Sequence, residues 1–188
     1  LAIAGIFALS ITSTASFADH KEVSPDQIRV GAYLKHANLK GADLNNVNLS
    51  NASMHFSDLS GANLSGANLK GANLDYASLR IANLKGADLR VTSCWRANLT
   101  NANLTNANLK GANMYKANLT NANLQGANLL GANLIGGVLR GANLKDATIK
   151  DLELRGTDLN GIKATNLKGC PSSLPGGWVC ENNSLFKR

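Results

Sequence analysis

The residues able to do acid–base, metal or redox chemistry are few in this chain of 188 residues, and their spacing limits what they can do. His36 and His55 could carry protons or bind a metal, and Asp75 lies twenty residues after His55. A triad also needs a nucleophile held by the base, and no spacing supplies one. A metal site needs three or four ligands, and two histidines alone do not make one. Cys170 and Cys180 stand ten apart near the C-terminus, with Cys94 alone in mid-chain. No C-x-x-C arrangement points to redox catalysis. The expectation is therefore a protein without catalytic residues, cofactor or metal.

The elements that must position these residues follow from a period of five. From Leu34 to Leu159 every fifth residue is Leu, except Met54, Cys94, Met114 and Ile149. Two residues before each most often stands Ala, at twenty of the twenty-six positions, with Asn or Asp most often between them. Five residues of an α-helix turn about 500°, so these leucines would scatter round its axis and form no stripe. In an extended segment, residues two apart share a face, so Ala-x-Leu places both apolar side chains inward. The next two residues must redirect the chain. The second is often Gly (Gly61, Gly66, Gly71, Gly86), which reaches positive φ without steric cost. Aromatics are only 5% of the residues, too few for an ordinary core.

The run Ala-(Asp/Asn)-Leu-x-x, twenty-six times in register over 32–161, resembles the pentapeptide-repeat family. The resemblance implies an all-β fold: a right-handed quadrilateral β-helix with four repeats per coil, one to a side. It implies about six and a half coils and a rod about 30 Å long at strand spacing. Stacked Asn residues are expected to hydrogen-bond from coil to coil. Both ends of such a stack expose unpaired edges and need caps. Ser24-Pro25-Asp26-Gln27 has the N-cap and Pro-N1 pattern of a helix start, so a short helix over about 24–30 is expected within an N-terminal cap, 19–31. Residues 162–188 form a C-terminal cap, similar to the tail of some exported bacterial members, with Trp178 plugging the last coil.

Stepping twenty residues along the chain sorts the surface by face. One face collects Tyr33, Phe56, Tyr76, Trp95 and Tyr115, every aromatic of the repeat region, together with His36, His55, Arg96 and Lys116. Exposed aromatics beside cations suit a protein partner, self-association or a sugar; the bland alternative is a stack that only stabilises one wall. A second face repeats Lys70, Arg90, Lys110 and Lys150 at one outward position, interrupted by Leu130. This stripe could meet an anionic polymer, although a charge run is more often only solvated. Cys94 holds an inward centre and is expected to act as a small buried hydrophobe.

Leu1 to Ile11 is apolar but too short to span a bilayer, and Ser16-Phe17-Ala18 fits a signal-peptidase site. A signal peptide over 1–18, a mature start at Asp19 and no transmembrane segment thereafter are expected. Export to a periplasm, the cell exterior or, in a photosynthetic organism, the thylakoid lumen follows. An oxidising compartment predicts a disulfide between Cys170 and Cys180. The function expected is an exported structural or interaction protein. A lectin-like or anionic-polymer binder is the alternative. The best-known functional members of the family mimic DNA and act on DNA gyrase, which calls for an acidic protein in the cytoplasm; a net charge of +7 and the signal-peptide-like start argue against that role, and nucleic acid is not the partner expected, although a basic surface tolerates anionic partners.

Overall fold

The computed structural model describes residues 25–188. From Tyr33 to Ser173, parallel backbone bridges join residues twenty apart without a break: Tyr33 with Ser53, Ser53 with Asn73, and so on to Glu153 with Ser173. A bridge recurs every five residues and a turn separates each from the next, so each twenty-residue coil has four sides and four corners. The Leu positions, with their Met, Cys and Ile substitutes, fill the interior, and none is more than 3% exposed. Burying each Leu contributes about 1.5–3 kcal/mol before entropy. Ala fits beside them where the walls converge. Where Ser or Thr replaces it, the buried hydroxyl is satisfied: Ser57 donates to the Met54 carbonyl, Thr92 to Leu69 and Thr157 to Leu134.

The backbone donors explain the rest of the repeat. In each five residues, three N–H groups bond to a neighbouring coil, as at Leu39, Gly41 and Asp58, and the N–H of the Ala closes the corner onto the preceding Leu, as in Ala42 to Leu39. The fifth, at the first turn residue, has no backbone partner in reach. The Asn or Asp two residues earlier accepts it through Oδ1, as in Lys40 to Asn38, Lys70 to Asn68 and Leu130 to Asn128. Where Asn or Asp stands at that position, the turn donor is thereby satisfied within its own repeat. Asn side chains also bond between coils on one face only, where Asn63 donates to Asp43, Asn83 to Asn63, Asn103 to Asn83 and Asn143 to Asn123. The general Asn ladder expected from the sequence is thus mostly a set of turn caps.

The ends differ. Among the described residues there is no α-helix; in place of the helix expected over 24–30 stands a single 3-10 turn, Pro25–Gln27. Gly31 already pairs with Ser50, so the chain has joined the first coil four residues after Gln27 and the stretch between is not free to continue as a helix. Ile28 packs on the core. The expected signal peptide and mature start at Asp19 lie outside the described residues. At the other end two strands, β1 (Trp178–Glu181) and β2 (Ser184–Lys187), form an antiparallel hairpin. Its turn is Asn182-Asn183, both at positive φ. Leu185 is buried against the last coil, its N–H bonded to the Ala164 carbonyl, and Trp178 is half-buried against the core. Cys170 and Cys180 are disulfide-bonded, their Cα atoms 5.9 Å apart, tying the approach to β1.

Candidate functional site

Every corner places its second turn residue in the left-handed region, where a Cβ is crowded. Three corners meet this with Gly, Asn or Asp at every coil except at Ile81 and Val91. One corner does not: its successive coils carry His36, Phe56, Tyr76, Arg96 and Lys116, with φ of 57°, 60°, 57°, 54° and 56°, before Gly136 and Gly156 resume. Strain of this kind costs on the order of 1–3 kcal/mol per residue unless contacts offset it. The offset is visible. His36 stacks on Phe56 at 5.2 Å and Phe56 on Tyr76 at 4.8 Å, both nearly parallel, and Trp95 meets Tyr76 edge to face at 4.9 Å. The Arg96 guanidinium lies 5.4 Å from the Trp95 ring and 6.0 Å from Tyr76, and the Lys116 ammonium lies 5.2 Å from Tyr115. The coil spacing of a β stack matches the preferred distance between stacked rings.

The sequence-predicted face is therefore assembled, but with its rings turned onto one another. Phe56 and Tyr76 remain exposed along their edges, Trp95 and Tyr115 are half-buried, and Tyr33 is 74% exposed beyond the stack. Trp95 is held from below: where Ser93 replaces the usual Asn, the carboxylate of Asp75 reaches up one coil. It accepts the backbone N–H of Trp95 at 2.8 Å and the Ser93 hydroxyl at 2.6 Å.

Ser53 was not legible as a site residue, yet its Oγ lies 3.0 Å from His55 Nδ1. Its signal is again a Ser in the Asn position, two residues before a histidine. The pair makes no triad, because the Asp75 carboxylate bonds to Ser93 and Trp95 rather than to the imidazole. His36 and His55 have ring centroids 6.4 Å apart. Burial, and then Lys35 and His36 nearby, holds His55 below the ordinary histidine range, while Asp75 opposes the shift. Among the described residues no three His, Cys, Asp or Glu are grouped to hold a metal. Cys94 is fully buried, and burial pushes its thiol up to about 12, so it stays neutral and inert.

The basic stripe occupies the adjacent corner. Lys70, Arg90, Lys110 and Lys150 are exposed there, one to a coil, with Leu130 between the last two. Arg90 grips Asp88 through two donors, and those hydrogen bonds hold the Asp88 carboxyl below its usual range.

Among solved structures, HetL, a pentapeptide repeat protein involved in heterocyst differentiation regulation from the cyanobacterium Nostoc sp. strain PCC 7120, is 30% identical. The match covers 73% of this chain and 81% of HetL, with a TM-score of 0.46. Rfr23, a pentapeptide repeat protein from the cyanobacterium Cyanothece 51142, is 39% identical over 52% of this chain and 64% of its own, with a TM-score of 0.39. A pentapeptide repeat protein of the Arabidopsis thaliana thylakoid lumen is 28% identical over 64% of this chain and 70% of its own, with a TM-score of 0.31. No curated protein sequence matches this one. The family model for pentapeptide repeats matches overlapping stretches from residue 30 to residue 161, eight copies in all, over the same residues that form the four-sided coils. On that match, the chain belongs to the pentapeptide-repeat family.

Proposed function

We propose that this chain is an exported, non-enzymatic interaction protein, and that the corner running from His36 to Lys116 is the surface it presents to another protein chain. Pentapeptide-repeat proteins are in general structural rather than enzymatic and often bind proteins, which supports the class. The observation that carries the surface is the exposed stack His36–Phe56–Tyr76, held at left-handed turn positions that Gly fills without steric penalty, with half-buried Trp95 set edge to face against Tyr76. Backbone strain kept at one corner through five coils marks a place where side chains are needed for more than folding. Trp, Tyr and Arg are also the residues that dominate protein interfaces. The disulfide and the leader-like residues 1–18 support export, since such bonds persist in oxidising compartments. The proposed rod is a right-handed solenoid of about six and a half coils over 32–161, flanked by caps over 19–31 and 162–188.

The stack also bears on the alternative of a sugar site. Sugars bind on ring faces, and here the faces of Phe56 are covered by His36 and Tyr76. The test is light scattering after size exclusion, for the parent and a Trp95→Ala, Tyr115→Ala variant, with thermal melts of both. A dimer that becomes a folded monomer assigns the corner to self-association. Two folded monomers direct the search to a partner, whose binding the variant should weaken by about 2 kcal/mol or more. A large loss of melting temperature with no interaction lost would reduce the corner to a structural stack.

A further inference from the structure

Charge and strain are both concentrated in the middle of the rod. Between Leu59 and Asn121, seven Lys and Arg stand against two acids, Asp75 and Asp88. Both acids are engaged within the fold, Asp75 by Ser93 and the Trp95 N–H, Asp88 by Arg90. The flanking coils are balanced: residues 25–58 carry three cations and three acids, and residues 122–161 carry four of each. The same central stretch holds the least comfortable turns. Going once round the rod from Tyr76, the left-handed positions are Tyr76, Ile81, Gly86, Val91 and Arg96. Ile81 and Val91 are β-branched, the poorest side chains for that backbone, and they are 66% and 60% exposed. Neither burial nor turn chemistry accounts for them.

We propose that the coil from Tyr76 to Arg96, with Lys70, Lys110 and Lys116 on the coils beside it, is the docking surface for an acidic segment of a different protein. This rests on the reading that the aromatic corner is an interaction surface, and it names the partner's chemistry. Apolar side chains at three corners supply the area that excludes water, and the cations round them select a negative partner. The excess charge argues against a second copy. An isologous dimer through any side of this belt would set like charges against each other, within a stretch whose seven cations and two acids leave it net positive by five. The belt encircles the rod rather than lining one side, which suits an extended acidic peptide segment and leaves little for a flat bilayer to touch.

The experiment uses the full chain, immobilised, to select from a random peptide library displayed on phage; selected peptides are then synthesised and their binding measured by fluorescence anisotropy. The expected peptides are net negative with aromatic or aliphatic residues interspersed. Their affinity falls about tenfold or more with added salt and again in a Lys70→Glu, Lys110→Glu, Lys116→Glu variant. Circular dichroism of that variant should show the parent fold. Peptides that are neutral or basic, or no enriched peptide at all, would overturn the proposal. If Trp95→Ala, Tyr115→Ala abolishes binding and the charge reversal does not, the interaction corner stands and the acidic partner falls. If neither matters, both fall. If heparin displaces the peptides and binds the aromatic variant as tightly as the parent, the belt is a polyanion site and the protein partner is wrong. A dimer in low salt, split by the aromatic substitutions, would equally overturn it.

Discussion

Two diagonally opposite corners of the rod share one backbone and differ in nearly everything else. At the corner through Asn46, Gly66, Gly86, Asn106, Gly126, Asp146 and Asn166 the left-handed position is filled by residues that tolerate it. The fit is cooperative: Asn46 Oδ1 occupies the space a Cβ on Gly66 would need, and Asn106 does the same beneath Gly126. At the corner through His36, Phe56, Tyr76, Arg96 and Lys116 the same φ is imposed on side chains that resist it, and ring stacking offsets the strain. The first corner satisfies the fold with residues that carry little left-handed penalty of their own. The second reaches a similar end through contacts between coils, and leaves aromatic edges and cations outside. The lesson is that the fold does not require aromatics here; the corner holds them despite the backbone.

Exchanging the chemistry of the two corners should expose the difference. Gly126→Phe places a side chain where its Cβ runs into Asn106 Oδ1, on a backbone that already disfavours it. With no ring on the coil below to stack on, the loss should be about 1–3 kcal/mol, read by denaturant melts. A loss near zero would mean that any ring at any corner finds compensation, and the aromatic corner would then be unexceptional.

The reverse exchange should do much less. Tyr76→Gly removes stacking with Phe56 and Trp95, worth about 0.5–1.5 kcal/mol per pair, and relieves left-handed strain of similar size. The net change in stability should lie within about 1 kcal/mol, while binding at the corner suffers. A loss as great as that of Gly126→Phe would show that the stack exists to hold the wall.

What could be foreseen from sequence follows the same division. Ala and Leu announce their inward places because the interior admits little else, and Gly announces the left-handed turns. The clustering of Tyr33, Phe56, Tyr76, Trp95 and Tyr115 emerged from the twenty-residue step alone. Their orientation did not, because whether a ring presents its face or its edge depends on what stands one coil away. The role of Asn as acceptor for the first turn N–H required the backbone bonds to be counted. The helix expected at Ser24-Pro25-Asp26-Gln27 was a local signal overruled by the pull of Ile28 and Gly31 into the first coil. The hairpin β1–β2 had a signal in Asn182-Asn183 between apolar runs, masked by the Pro and Gly of the tail.

The smallest difference between the corners is in their response to acid. His55 sits in the aromatic corner with its imidazole held below the ordinary range, chiefly by burial and then by Lys35 and His36. The unfolded chain therefore takes up a proton at a higher pH than the folded one, and stability falls as pH drops through the ordinary histidine value. The opposite corner has Asp146, whose carboxyl is held below its usual range by the hydrogen bond from Asn166. Its contribution is present above the ordinary aspartate value and is lost only as pH falls further, through the folded-state value. Melting temperature followed from about pH 8 to about pH 5.5 should show a shallow decline in the parent that His55→Gln removes and Asp146→Asn leaves in place. A decline unchanged by His55→Gln would place the acid-sensitive group elsewhere. It would also leave the contact between Ser53 and His55 without measurable consequence for the folded state.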